Sequence, residues 1–340
     1  WWGQRGNFLS VPTDCPQRDE RLGWTGDTQI FARTALYNSD AKDFYRKWMR
    51  DLRNSQREDG AYPDIAPYNN FWGYGTAAWG DAGVILPWTV YEMTGDRTIL
   101  EENYASMTRY MQWLSTQEET VEGKRYTHIG AGTATGDWLA YAPIESRYVS
   151  MAYYAYVAQL MDSISATLGK QREAESYRAL YADIRQEFQQ RYMLPDGALR
   201  EHTQTAYLLA LRFDLLPEQH RAAARQALRR LIEENDYCLS TGFVGTGILC
   251  STLTDEGMND LAYALLLQRK NPSWLYSIDQ GATTVWERWD SYKREEGFHK
   301  HEWNMNSFNH YAYGAVAEWM YAYVAGIRPG KPGFSHVVFA

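Results

Sequence analysis

Apolar side chains recur every three or four residues along most of this chain, the spacing that lines one face of an α-helix. Residues 28–38 (TQIFARTALYN) and 40–57 (DAKDFYRKWMRDLRNSQR) read as a first helical pair, with Asp40 placed to cap the second member. Residues 81–94 and 97–117 follow, split by Thr94-Gly95-Asp96, a stop and a new start. The pattern resumes over 146–168 and 170–192 around Gly169, over 203–215 and 218–234 around Pro217, and over 243–253, 257–269 and 306–326. Strand patterning is nearly absent before the end of the chain. Long loops rich in Gly, Pro and aromatic residues run from Gly60 to Gly80 and from about Gly123 to Pro143. Eleven helices in roughly paired order are not a sheet protein. A solenoid would need a shared repeat, and no common period or consensus is visible. The expected fold is therefore all-α: a closed toroid of about six helical hairpins, an α/α barrel, whose long loops rim one funnel and carry the function. After the last helix, Arg328-Pro329-Gly330-Lys331-Pro332-Gly333 reads as turn punctuation, and Val337-Val338-Phe339 as a first strand. The expected division is a helical domain over 1–327 and the truncated start of a β domain over 328–340. The odd helix count fits a chain cut from something longer.

Composition adds a hint about the ligand. With Trp 14 and Tyr 26 against Phe 11, most aromatic surface carries a polar handle. Stacking between helices accounts for part of that excess; a cleft for something flat-faced and hydroxylated, as a sugar is, accounts for the rest. A net charge of −8 without long basic runs argues against nucleic acid and anionic membrane as partners. No stretch reaches the roughly 18 apolar residues of a membrane span. The opening Trp1-Trp2-Gly3 lacks the charged and apolar regions of a signal peptide. Cys15, Cys238 and Cys250 are too scattered for a disulfide framework or zinc site, and the latter two read as buried free thiols. The compartment (periplasmic, secreted or cytoplasmic) stays open.

With 42 acidic residues, what distinguishes a carboxylate is its setting. The segment from Val11 to Asp27 is the densest: Asp14, Asp19, Glu20 and Asp27 with Arg18 and Arg21, stiffened by Pro12 and Pro16 and opened by Gly23 and Gly26. For Asp27 the plain alternative is a helix N-cap. A second site is Gly281 to Asp290, where Glu287 lies among Trp286, Arg288 and Trp289. Tryptophan burial would raise a carboxyl pKa and Arg288 would lower it; a simple Glu287–Arg288 pair on a strand edge is the structural alternative. Ala78-Trp79-Gly80-Asp81, Gly136-Asp137-Trp138-Leu139 and Ser307-Phe308-Asn309-His310-Tyr311 each set a hydrogen-bonding group beside a ring, as sugar sites do. Each alone is commonly structural; together they point to one carbohydrate site. His299-Lys300-His301-Glu302 has ligand residue types but no third partner, and reads as a surface turn, so no metal is expected. Phosphate loops and G-x-S-x-G elbows are missing, so no cofactor is implied. Hydrolysis by two carboxyl groups remains.

The run Asp14 to Asp27, DCPQRDERLGWTGD, resembles the signature of the bacterial α-L-rhamnosidases of glycoside hydrolase family 78. The resemblance continues through Ala78 to Asp81, Thr135 to Trp138, Ala282 to Trp289 and Ser307 to Tyr311, in the family's order over essentially the whole chain. It implies an (α/α)6 barrel flanked by β-sandwich domains, acting without a cofactor on rhamnose-containing glycosides or polysaccharides. It implies Glu20 as general acid and Glu287 as general base of an inverting hydrolysis. Asp14, Arg18, Trp24 and Asp27 then match positions that shape or bind the sugar subsite, and Trp79, Trp138 and His310 match further contacts. Asp81, Asp137 and Asp290 lie beside motif residues and carry over less directly. Inversion needs the two carboxyls about 6.5–9.5 Å apart, with room for water, and Glu20 protonated by virtue of a raised pKa. A non-catalytic carbohydrate-binding toroid, a sugar epimerase and a polysaccharide lyase using Arg18, Arg21 and Arg288 remain as alternatives.

Overall fold

The computed structural model describes residues 1–131, 136–300 and 305–339. Thr135, His301 and Glu302, singled out above, lie outside them. The main helices are α1 (Trp2–Asn7), α2 (Thr25–Asn38), α3 (Lys42–Asn54), α4 (Ala82–Thr94), α5 (Thr98–Ser115), α6 (Ser146–Thr167), α7 (Gln171–Tyr192), α8 (Gln204–Arg212), α9 (Glu218–Glu234), α10 (Phe243–Asp255), α11 (Asn259–Leu267) and α12 (Trp274–Asp279). A closing segment passes through a 3₁₀ turn (Ala312–Ala315), an α turn (Val316–Trp319) and a π turn (Met320–Val324). Around an inner ring α2, α4, α6, α8 and α10 each touch the next, and the closing segment touches both α10 and α2. The ring is shut, as the all-α toroid requires.

Two kinds of helix build it. Inner α4 and α6 are apolar nearly all round and buried on most faces, because they are packed between neighbours and the centre. Outer α7 and α9 bury only a stripe, Ala174, Ile184, Phe188 and Tyr192 in the first and Ala224, Ala227, Leu228 and Ile232 in the second. That difference gives the chain its alternating apolar and amphipathic rhythm.

Several expectations are corrected. Asp40 caps nothing: α3 begins at Lys42 with Ala41 at its N-cap position. Asp27 is not an N-cap either, since α2 starts at Thr25 and Asp27 lies in its first turn. The last helix begins at Ala312 rather than 306, because residues 307–310 are hydrogen-bonded to 285–287 instead, with the Glu287 amide on the Ser307 carbonyl (2.9 Å) and the His310 amide on that of Val285 (2.8 Å). These bonds take backbone groups a helix would need. The short α1 and α12 were not legible, being six residues each and too short for periodicity. Nor were the small hairpins Glu119–Val121/Lys124–Tyr126 and Tyr292–Lys293/Gly297–Phe298. At the C-terminus Arg328 to Lys331 is strand, not turn: Ile327–Lys331 pairs antiparallel with His336–Phe339 around a turn at Pro332–Phe334. This hairpin folds back on the end of α4, where Gly333 meets Gly95. Cys15, Cys238 and Cys250 are buried free thiols. Among the described residues no helix is long and apolar enough to cross a membrane.

Candidate active site

The segment before α2 folds as a tight loop whose ends are pinned by a buried carboxylate. The Asp14 amide donates to the Leu22 carbonyl (3.0 Å), and the Leu22 amide donates to Asp14 Oδ1 (2.9 Å). The two glycines of the motif are places of close approach. A Cβ on Gly23 would fall 2.3 Å from the Ala66 carbonyl oxygen, and one on Gly26 would fall 2.5 Å from the Trp79 indole. Thr25 closes the loop onto Asp64, its amide and hydroxyl both reaching the Asp64 carbonyl at 3.0 Å.

This loop aims Arg18 at both glutamates. Arg18 Nε donates to Glu20 Oε2 at 3.0 Å, and Arg18 Nη2 contacts the same oxygen. Arg18 Nη1 donates to Glu287 Oε2 at 2.6 Å and Nη2 to Glu287 Oε1 at 3.3 Å. Two carboxylates from opposite ends of the chain therefore face one guanidinium, which occupies the space between them. Trp24 Nε1 fixes the other oxygen of Glu20 at 2.7 Å. Glu287 is enclosed, and its Oε2 also accepts the Ser307 amide (2.9 Å). Gln17 reaches Ser307 Oγ at 2.5 Å, so the acidic loop and the Ser307 loop hold one another.

Behind them lies a second charged group. His310 Nε2 meets Asp27 Oδ1 at 3.2 Å, and both side chains are buried. Burial opposes charge on His310, but the Asp27 hydrogen bond and the carboxylates of Glu287, Asp27 and Asp14 outweigh it and push its pKa up to about 9. Desolvation raises the Asp27 carboxyl too, while its hydrogen bond to His310 works in the opposite direction. The Asp14 carboxyl is pushed up to about 6, by burial first and by the Glu20 charge second. Asp14 also takes the Cys15 thiol (2.6 Å) and lies 4.0 Å from Arg18. Burial likewise pushes the Cys15 thiol up, so it stays protonated.

The fold thus brings together Asp14, Arg18, Glu20, Trp24, Asp27, Glu287 and His310. Trp79 is 4% exposed beneath Gly26, supporting the loop from below. Trp138 is half-buried, its carbonyl taking the Phe243 amide (2.9 Å) at the start of α10. The surroundings of Glu287 differ from those its sequence neighbours indicate. Arg288 turns away to Asp290 (2.9 Å), which also holds His299 (3.1 Å). Trp289 stacks on Tyr313, with ring centroids 3.9 Å apart, and Trp286 packs edge-on against Phe308. The chain bends at Glu287 and Arg288 and turns at Trp289, and this carries the flanking side chains to partners other than Glu287. Trp286 faces instead a surface cleft of about 560 Å³ lined by Gly281 to Thr284, Tyr292 and Phe298, which contains neither glutamate. Arg21 reaches the Pro16 carbonyl (3.0 Å) and Asp19 (3.6 Å). Of the three arginines considered for a lyase, only Arg18 reaches the carboxylates. Gln17 and Ser307 lie inside the quoted motifs but were not named as site residues; a polar residue within a motif carries no signal of what it will face.

Asp81 and Asp137 are scaffold. Asp81 accepts the Ala78 amide (2.7 Å) and the Tyr110 hydroxyl (2.9 Å), and burial pushes it up to about 6. Asp137 accepts the amides of Gly242 and Val244 at 2.8 Å and of Gly245 at 3.3 Å, with the Thr205 hydroxyl, and so caps α10 from a distant loop.

Residues 1–324 match the family described as the bacterial alpha-L-rhamnosidase 6 hairpin glycosidase domain. The chain is 47% identical over 99% of its length to an alpha-L-rhamnosidase of Streptomyces avermitilis, and 42% identical over its whole length to one of Formosa agariphila. It spans only 32% and 37% of those proteins, about a third of each. The crystal structure of the Streptomyces avermitilis alpha-L-rhamnosidase complexed with L-rhamnose matches with a TM-score of 0.94, over 99% of this chain and 32% of that one. Native alfa-L-rhamnosidase from Aspergillus terreus matches at 37% identity with a TM-score of 0.89, over 99% of this chain and 40% of that one. A closed ring of helical hairpins, a loop that joins two glutamates through one arginine, and a match over nearly the whole length agree: the chain belongs to the bacterial α-L-rhamnosidase six-hairpin glycosidase family.

Proposed function

We propose that this domain hydrolyses α-L-rhamnosides, releasing terminal L-rhamnose with inversion at the anomeric carbon. Glu20 serves as general acid and Glu287 as general base. The observation that carries this reading is the convergence of both glutamates on the Arg18 guanidinium, inside a fold matched over 99% of its length by an alpha-L-rhamnosidase complexed with L-rhamnose.

Glu20 gives its proton to the glycosidic oxygen as that bond to the anomeric carbon breaks. Glu287 takes a proton from a water attacking the opposite face of the same carbon, as an inverting pair requires. Glu20 is the more accessible of the two, its side chain 18% exposed against 2% for Glu287, which suits an acid that meets an incoming leaving group. Arg18 spans the two carboxylates when no sugar is bound. On substrate entry it gives up its Glu20 contacts, stays with Glu287 and donates to a sugar hydroxyl. Asp14, Trp24 and His310 line the sugar, Asp27 holds His310 in place, and Trp138 closes the rim. Trp79 bears on the site through Gly26.

The test is hydrolysis of an aryl α-L-rhamnoside with the product followed by proton NMR. β-L-rhamnose is expected as the first product, mutarotating later to the α form. An initial α product would replace inversion with retention, and an unsaturated product absorbing in the ultraviolet would replace hydrolysis with elimination.

A further inference from the structure

The loop Tyr68 to Tyr74 carries two large aromatic side chains out into solvent: Phe71 is 77% exposed and Trp72 39%. Its base is well fastened. Pro63 bridges Tyr74, and Ile65 bridges Trp24, so one extended run ties the loop to the residue that holds Glu20. The Asp64 amide donates to the Gly73 carbonyl (3.1 Å), the Tyr68 hydroxyl to the Trp72 carbonyl (2.9 Å), and the Phe71 amide to Asn69 Oδ1 (3.1 Å). Gly73 passes so close to Asp64 that a Cβ there would lie 2.9 Å from Oδ2. A loop held this firmly has no packing reason to leave two rings uncovered at its tip.

The rings are also aligned. The Trp72 ring lies 5.1 Å from that of Trp24, whose Nε1 holds Glu20 at 2.7 Å, and Phe71 meets Trp72 edge-on at 5.0 Å. An aromatic path therefore runs from the proposed acid to the solvent. The group beside a general acid is the leaving group, since the acid protonates the oxygen that departs with it. From this juxtaposition of Glu20, Trp24, Trp72 and Phe71 we infer that the Tyr68 to Tyr74 loop is the binding platform for the aglycone, and that it takes a leaving group with a flat, apolar ring face, either an aryl ring or the C–H face of a second pyranose. The inference rests on the hydrolase reading above. Trp72 supplies the stacking surface and Phe71 extends it outward.

The test compares wild type with Trp72→Ala and Phe71→Ala on three substrates: 4-nitrophenyl α-L-rhamnoside, an α-L-rhamnosyl-glucose disaccharide and methyl α-L-rhamnoside. Taking the ratio of each variant to wild type cancels the intrinsic reactivity of each leaving group. In Trp72→Ala, kcat/KM for a ring-bearing substrate falls about tenfold relative to methyl rhamnoside, mostly through KM, and Phe71→Ala does the same about threefold. A fall confined to the aryl substrate or to the disaccharide supports the platform and identifies which ring it takes. Equal changes on all three substrates, or no change on any, overturn the platform while leaving the hydrolase reading intact. Wild-type protein inactive on all three overturns the hydrolase reading, and this inference with it.

Discussion

Two groups of carboxylates behave differently in the fold. Asp64, Asp81 and Asp137 are satisfied by neutral donors: backbone amides, Thr76 and Thr205 hydroxyls and the Tyr110 phenol. They tie loops to helices. Glu20 and Glu287 instead share Arg18, and Asp27 holds His310. A carboxylate met by neutral amides has finished its work once the chain is folded, whereas one met by a movable or titratable cation can change partners when substrate arrives. Asp27, Asp81, Asp137 and Glu287 all adjoin Trp or Gly in the sequence, so motif style alone could not separate scaffold from site. The identity of the donor does, and it follows from the general link between charged, desolvated clusters and function.

Substitutions sharpen the contrast, beginning with the largest effect. Glu20→Gln or Glu287→Gln lowers turnover of an aryl α-L-rhamnoside by about 10²–10⁴-fold, with thermal unfolding moved by only a few degrees; near-wild-type turnover in either would remove that residue from its role. Arg18→Ala leaves the enclosed Glu287 carboxylate without its cation and costs about 3 kcal/mol of stability besides activity, read from urea denaturation midpoints. A stability unchanged in Arg18→Ala would mean that Glu287 does not depend on the pair. On the scaffold side the order reverses. Asp137→Ala strips three amides and a hydroxyl of their acceptor at α10 and costs about 2 kcal/mol, with kcat moving less than the glutamate variants by orders of magnitude. Gly26→Ala drives a methyl into the Trp79 ring, at about 1–3 kcal/mol. A collapse of kcat in Asp137→Ala with stability unchanged would erase the distinction.

The smallest effect is a pH dependence. His310 has its pKa raised in the folded protein, so its contribution to stability is complete below the ordinary histidine value of about 6.5 and is lost as pH rises through about 9. Melting temperature should therefore decline across that window in wild type, with a shallower decline in His310→Asn. Identical profiles would show that His310 is not the charged partner of Asp27.

How much of this was legible depended on range. The rhythm of apolar and amphipathic helices is local, and the ring of hairpins followed from it. Helix ends were read less well where tertiary hydrogen bonds overrode propensity, as at 307–310, or where a cap came from elsewhere, as with Asp137 on α10. Glu20 and Glu287 stood out as candidates because they sit in unusual loops, and resemblance supplied their roles. Their partners did not stand out. Arg288 beside Glu287 looked like its natural counter-charge, yet the chain bends there and Arg288 pairs with Asp290, while Arg18 from the other end of the chain takes that place.

By itself the sequence determined the helical period, the closed all-α architecture and the loops in which chemistry is concentrated, because each is set by spacing within a dozen or so residues. Only the tertiary structure decided which carboxylates meet a cation, why Gly23 and Gly26 tolerate no side chain, and that an exposed aromatic loop stands beside Glu20. Those depend on contacts between segments brought together by ring closure, and spacing along the chain does not encode the distance across it.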